Sequence, residues 1–208
     1  MIQCLKKIAA VILAGTMLFC LTSCSTSHIE ALDLAAEFNK ASETYQIDTD
    51  RFTEVEMSDG LRRNYTFRSD DTSVGSFIFT AYLADDSKYV DHITLTLPVD
   101  SNILSSFLTG NDSEKEPISA ERKAAFQELF IALTRAYTGV GKSEAENYFA
   151  ELGLENDATY GEQTTTAKTY GDYTYTFKVG PITTILQISN DKLYSPDDDS
   201  AAETESAQ

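Results

Sequence analysis

From Tyr173 to Val179 the chain alternates without a break: Tyr173, Tyr175, Phe177 and Val179 are separated by Thr174, Thr176 and Lys178. Successive side chains of an extended strand point to opposite faces, so this stretch predicts a strand with one apolar and one polar side. Tyr89 to Leu97 carries the same pattern, with Ile93, Leu95 and Leu97 on one side and His92, Thr94 and Thr96 on the other. Strands packed on one side and wet on the other belong to antiparallel sheets. Arg51 to Met57 and Leu61 to Phe67 flank Ser58-Asp59-Gly60, a hairpin signal, and Ser76 to Leu83 leads into a turn at Asp85-Asp86-Ser87. Gln163 to Thr169 and Ile182 to Ser189 complete the strands, with turns at Tyr170-Gly171-Asp172 and Gly180-Pro181.

Helical spacing appears three times. Ala31, Leu34, Ala35, Phe38 and Ala41 recur on one face within Ile29 to Ala41. Ala120 to Tyr137 carries the stripe Phe126, Leu129, Phe130, Leu133, Ala136 and Tyr137. Ala145, Tyr148, Phe149 and Leu152 follow, closed by Gly153 with Leu154 beyond it as a glycine cap and its apolar follower. Helix then strands thus occurs twice, over 29–99 and over 119–190, joined by a connection at 100–118 whose Ile103-Leu104 and Phe107-Leu108 are expected to dock on the core. Helices followed by runs of strands predict an α+β fold, with helices packed on antiparallel meander sheets. Tyr65-Thr-Phe-Arg68 and Tyr175-Thr-Phe-Lys178 fall in comparable places and suggest a duplicated helix-plus-strands unit.

One motif needs separate treatment. Ala136 to Ser143, AYTGVGKS, fits a loose phosphate-loop pattern. A working phosphate loop follows a buried strand and opens a helix. Here the strongest helical stripe of the chain precedes it, so the expected structure is a turn between two helices, not a nucleotide site. Gly139 stops the first helix, and Ser143 with Glu146 is the expected capping box of the second.

The ends bear on location. Lys6 and Lys7 form a basic head, Ile8 to Cys20 is an apolar run of signal length, and Leu21-Thr22-Ser23-Cys24 follows. The leader, residues 1–23, resembles that of bacterial lipoproteins, whose lipobox ends in an invariant Cys. The resemblance implies a lipidated Cys24, a tether over 24–28 and attachment to the outer face of the cell membrane. All three cysteines (Cys4, Cys20, Cys24) lie in this part, so the remainder holds no disulfide and no thiolate metal site. Ser119 to Ser189, a helical hairpin before a Tyr/Thr-rich meander, also looks like uncharacterised exported lipoproteins of Gram-positive bacteria, and that likeness brings no activity with it.

Charge narrows the partners. The chain carries −17, and loss of the leader takes away two lysines and leaves −19. Such a surface repels nucleic acid. Residues 191–208 hold six acids, and from Ser195 onward no apolar residue is larger than Ala or Pro; this stretch is expected to be a disordered acidic tail. Of the two histidines, His28 sits in the tether, and His92 is expected to be a solvated strand residue, unable to pair with Asp91 because adjacent strand residues point apart. Glu54 and Glu56 share a strand face, about 7 Å apart, the one pair on which a hydrolase could be built. Tyr160, Tyr170, Tyr173, Tyr175 and Tyr194 raise sugar binding, although sheet packing explains most of them.

These features predict a lipid-anchored, extracytoplasmic binding module without a cofactor, metal or assembled catalytic group. Its partners would be the membrane, through Cys24, and a protein or envelope component, with neither nucleotide nor nucleic acid. Arg62, Asn64, Thr66 and Arg68 form one candidate contact row, and Thr174, Thr176 and Lys178 its counterpart. The alternatives are an envelope hydrolase using the acids and a passive surface spacer.

Overall fold

The computed structural model describes residues 28–57, 60–68, 77–83, 88–98, 118–161, 165–180 and 183–194. Within them the chain is α+β, with four helices and seven strands in the order α1 (Ala31–Ala41), β1 (Gln46–Met57), β2 (Gly60–Arg68), β3 (Ile78–Leu83), β4 (Val90–Pro98), α2 (Ala120–Thr138), α3 (Lys142–Glu151), α4 (Ala158–Gly161), β5 (Thr165–Tyr170), β6 (Tyr173–Val179) and β7 (Thr183–Asn190). Each strand neighbours the next in sequence except at one joint, where β4 pairs antiparallel with β7. The result is one sheet, β1-β2-β3-β4-β7-β6-β5, two meanders meeting at their last strands.

That order places Tyr65 and Tyr175 at different ranks: β2 is two strands out from the joint and β6 only one. The leader with Cys24, the connection over 100–118 apart from Ile118, and the tail from Ser195 lie outside the described residues. Among the described residues no helix is long and apolar enough to cross a membrane.

The expected alternation decides how the layers stack. Phe79, Ile93, Leu95, Tyr175, Phe177, Leu186 and Ile188 are almost fully buried beneath the helices. Phe126 of α2 packs its ring on Phe130, Phe149, Tyr160 and Phe177, with centroids 5.8–6.5 Å apart, which joins α2, α3 and α4 to β6. Tyr65 donates its hydroxyl to the Ala31 carbonyl at 2.9 Å, fixing α1 to β2. The Tyr137 hydroxyl lies 2.7 Å from the Asp91 carbonyl and 3.1 Å from that of Val90, tying α2 to β4.

β1 starts five residues earlier than its pattern predicts. Asn39 acts as a substitute strand neighbour: its Oδ1 accepts from the Ile47 N–H at 2.6 Å and its Nδ2 donates to the Ile47 carbonyl at 3.0 Å. Glu128 of α2 holds the turn before β1, accepting from the Ser42 hydroxyl and the Thr44 N–H at 3.1 and 2.7 Å. Both contacts are tertiary, so no local pattern could reveal them.

The AYTGVGKS stretch is a helix–turn–helix. Gly139, at φ +75°, takes the left-handed conformation that ends α2 and donates its N–H to the Arg135 carbonyl at 2.9 Å. The expected capping box is absent: α3 begins at Lys142 with extended Gly141 as its N-cap, and Ser143 falls inside the first turn. At the other end Gly153, at φ +76°, and Leu154, whose N–H reaches the Phe149 carbonyl at 3.2 Å, close α3 as the glycine predicts.

Candidate functional site

The described helices all pack on one face of the sheet, and strand register builds the other. Three rows cross it from β2 to β5. The first is Arg62, Tyr82, His92, Ser189, Thr174 and Thr169; the second is Asn64, Thr80, Thr94, Gln187, Thr176 and Ala167; the third is Thr66, Ile78, Thr96, Ile185, Lys178 and Thr165. No position in these rows is a carboxylate, in a chain with 33 acids. This open face is hydroxyl-rich and locally free of the charge that dominates the molecule.

The two contact rows expected from sequence meet here. Arg62 and Asn64 are half-buried, and Asn64 Oδ1 accepts the Thr80 hydroxyl at 2.8 Å. Thr174 and Thr176 are half-buried and Lys178 is exposed. Thr66 and Arg68 belong to β2, with Ile78 and Gln46 as register partners, and their side chains lie outside the described residues. Arg62 and Thr174 share a row, four strands apart, a span of about 19 Å at the usual strand spacing. What looked like two surfaces is one.

Its centre is a stack that sequence reasoning missed. The Arg62 guanidinium lies 4.8 Å from the Tyr82 ring centre, Tyr82 stacks on His92 at 4.0 Å, and Tyr194 meets His92 at 4.7 Å nearly edge to face. His92 is buried, not solvated. Its Nδ1 lies 2.9 Å from Asp91 Oδ1, the pairing that simple strand alternation forbids. The register explains the difference: Tyr82 pairs with His92 but Leu83 pairs with Val90, so Asp91 is the extra residue of a bulge. A bulge re-aims a side chain, and here it swings the carboxylate toward the ring.

The turn after β7 brings Tyr194 over this face. Asn190 organises it: its carbonyl accepts the N–H groups of Leu193 and Tyr194 at 2.9 and 2.8 Å, and its Oδ1 accepts that of Lys192 at 3.1 Å. Lys192 Nζ pairs with Asp172 Oδ2 at 2.5 Å, locking this turn to the β5–β6 hairpin. Beside Tyr194 lies an open concavity of about 470 Å³ lined by Thr174, Thr176, Gln187, Ser189, Asp191 and Tyr194. Thr174 Oγ1 donates to Asp191 Oδ2 at 2.9 Å, and Gln187 Nε2 donates to Ser189 Oγ at 2.9 Å.

Catalytic alternatives fare worse. Asp91 and His92 make two-thirds of a nucleophile-activating set, and Ser189 stands opposite His92. Yet the Ser189 hydroxyl is engaged by Gln187, and the His92 ring is held between Tyr82 and Tyr194. Glu54 is tied to Arg63 Nε at 2.6 Å, and neither Glu54 nor Glu56 lines the concavity. Of the tyrosines considered for sugar contact, Tyr160 and Tyr175 are core, and Tyr194 is the one beside the concavity. Among the described residues no three His, Cys, Asp or Glu are grouped to hold a metal ion. No protein-family model matches the chain, and comparison with curated proteins and with solved structures finds no match.

Proposed function

We propose that this is a lipid-anchored, extracytoplasmic binding module whose open sheet face holds the ligand. The anchor rests on Leu21-Thr22-Ser23-Cys24 behind an apolar run and a basic head. Diacylglyceryl attachment puts two acyl chains on one residue, enough for stable membrane attachment without a spanning helix.

One observation carries the binding role: none of the positions in the three cross-sheet rows from β2 to β5 is a carboxylate, and Asp191, which lines the concavity, comes from the turn after β7. A random scatter of 33 acids would place several there, and a spacer would have no reason to exclude them. The described helices all pack on the opposite face. Arg62, Tyr82, His92 and Tyr194 give it a stiff aromatic spine, and stiff rings lose little freedom on binding.

A Cys24→Ala chain is expected to leave the membrane fraction for the soluble fraction with its far-UV circular dichroism unchanged. Persistent membrane attachment of that variant would contradict the anchor. The open face, for its part, is expected to have one dominant contact in the cell.

A further inference from the structure

We propose that the concavity beside Tyr194 is a saccharide site that takes a neutral sugar, its ring against Tyr194 and its hydroxyls on Thr174, Thr176, Gln187, Ser189 and Asp191. This inference rests on the binding role of the open face and names its ligand class.

Size comes first. At about 470 Å³ the concavity lies within the range of small-molecule sites, about 300–1,000 Å³. Its chemistry then selects among ligands. Thr174, Thr176, Ser189 and Tyr194 bring hydroxyls, the Gln187 amide brings a donor and an acceptor, and the Asp191 carboxylate accepts. Vicinal sugar hydroxyls also donate and accept, and they suit such a mixed lining.

Other ligand classes fit less well. A phosphate or carboxylate would find no Lys or Arg among the lining residues and would face Asp191. A cation would have a single carboxylate, already accepting the Thr174 hydroxyl.

The polar groups are also held in place before any ligand arrives. Thr174 Oγ1 lies 2.8 Å from Thr169 Oγ1 and 2.9 Å from Asp191 Oδ2, and Gln187 is fixed on Ser189. Side chains already fixed lose less rotamer freedom on binding. Tyr194 is positioned by the Asn190 turn on one side and by its contact with His92 on the other. An amphipathic ring beside hydroxyl and amide groups provides both parts of sugar recognition: an apolar platform for the C–H face and partners for the hydroxyls.

The test uses the full chain in detergent, saturation-transfer NMR and titration calorimetry, with tetrasaccharides of glucose and of N-acetylglucosamine as probes. Saturation is expected to pass to the ring protons of at least one sugar. Tyr194→Ala should weaken that binding at least about tenfold, about 1.4 kcal/mol, while Tyr194→Phe keeps it within about threefold. If Tyr194→Ala fails to fold by near-UV circular dichroism, Gln187→Ala carries the same expectation. Three results would overturn the proposal: no transfer to either sugar at millimolar concentration, equal binding by the folded variants, or displacement of the sugar by a tetralysine peptide that binds more tightly. Failure with sugars alongside a dominant cellular contact at the open face would sink the saccharide site alone. Failure of both would sink the binding role as well.

Discussion

Raised above pH 10, the protein is expected to unfold in one cooperative step, with tyrosinate absorbance at 295 nm and loss of far-UV circular dichroism rising together. The cause is burial. Desolvation pushes the Tyr137, Tyr160 and Tyr175 phenols above their ordinary value, and Tyr170, partly covered and beside Glu151, is pushed up to about 12. In the unfolded chain the same groups titrate near 10. Below that pH both states keep the proton and stability is unaffected. Above it the unfolded chain releases protons that the folded chain retains, so stability falls as pH rises, until the folded values are reached. Each deeply buried tyrosine then costs about 1.4 kcal/mol per pH unit, and Tyr137, Tyr160 and Tyr175 together about 4. Against a typical domain stability of about 5–15 kcal/mol, the transition falls roughly one to four units above 10. Tyrosines that all titrate near 10 in a chain keeping its circular dichroism would contradict the burial assigned to them.

Replacing Phe126 by Ala is expected to be the most damaging single substitution of a core side chain. The ring is fully buried and touches Phe130, Phe149, Tyr160 and Phe177, so its loss opens a cavity where α2, α3, α4 and β6 meet. Truncating a buried Phe to Ala costs about 3–5 kcal/mol, more where neighbours cannot collapse into the space. These neighbours are rings on four separate elements, which limits relaxation. With a urea m-value of about 1–3 kcal/mol/M, the unfolding midpoint should drop by roughly 1–5 M. A loss below about 1 kcal/mol would mean that this ring does not join the helices to the sheet.

How much of this was legible beforehand depends on the range of each contact. The two faces of β4 and β6 follow from alternation alone, and the apolar face proved to be the core. Gly139 and Gly153 announced the helix ends because each sits at a positive φ that side chains resist. The pairing of β4 with β7 had no local signal, although it turns two contact rows into one surface. The bulge at Asp91 escaped for a related reason: it exists only as a mismatch between β3 and β4. Without it His92 looked solvated; with it His92 becomes the buried middle of a stack. Tyr194 was noticed as one tyrosine among several, and nothing nearby in sequence revealed that Asn190 folds it back over the sheet.

The charge pattern has the same origin. Along the sequence acids occur in nearly every segment, and only strand register reveals that none falls on the rows from β2 to β5. Gln187 and Ser189 were counted as ordinary positions of a strand, yet beside Thr174 and Thr176 they become the floor of a concavity. Sequence supplied the residue types of the site; the sheet joint supplied their company.

The central claim is that the open face, not the helix face, makes the functional contact. The most direct measurement places a photoreactive amino acid at Thr94 on the open face and, in a second strain, at Glu121 on the exposed side of α2, then crosslinks in living cells. The expected result is one dominant adduct, protein or glycan, from Thr94 and only a faint, diffuse set from Glu121. Equal diffuse adducts from both positions, or a dominant adduct from Glu121 alone, would contradict it.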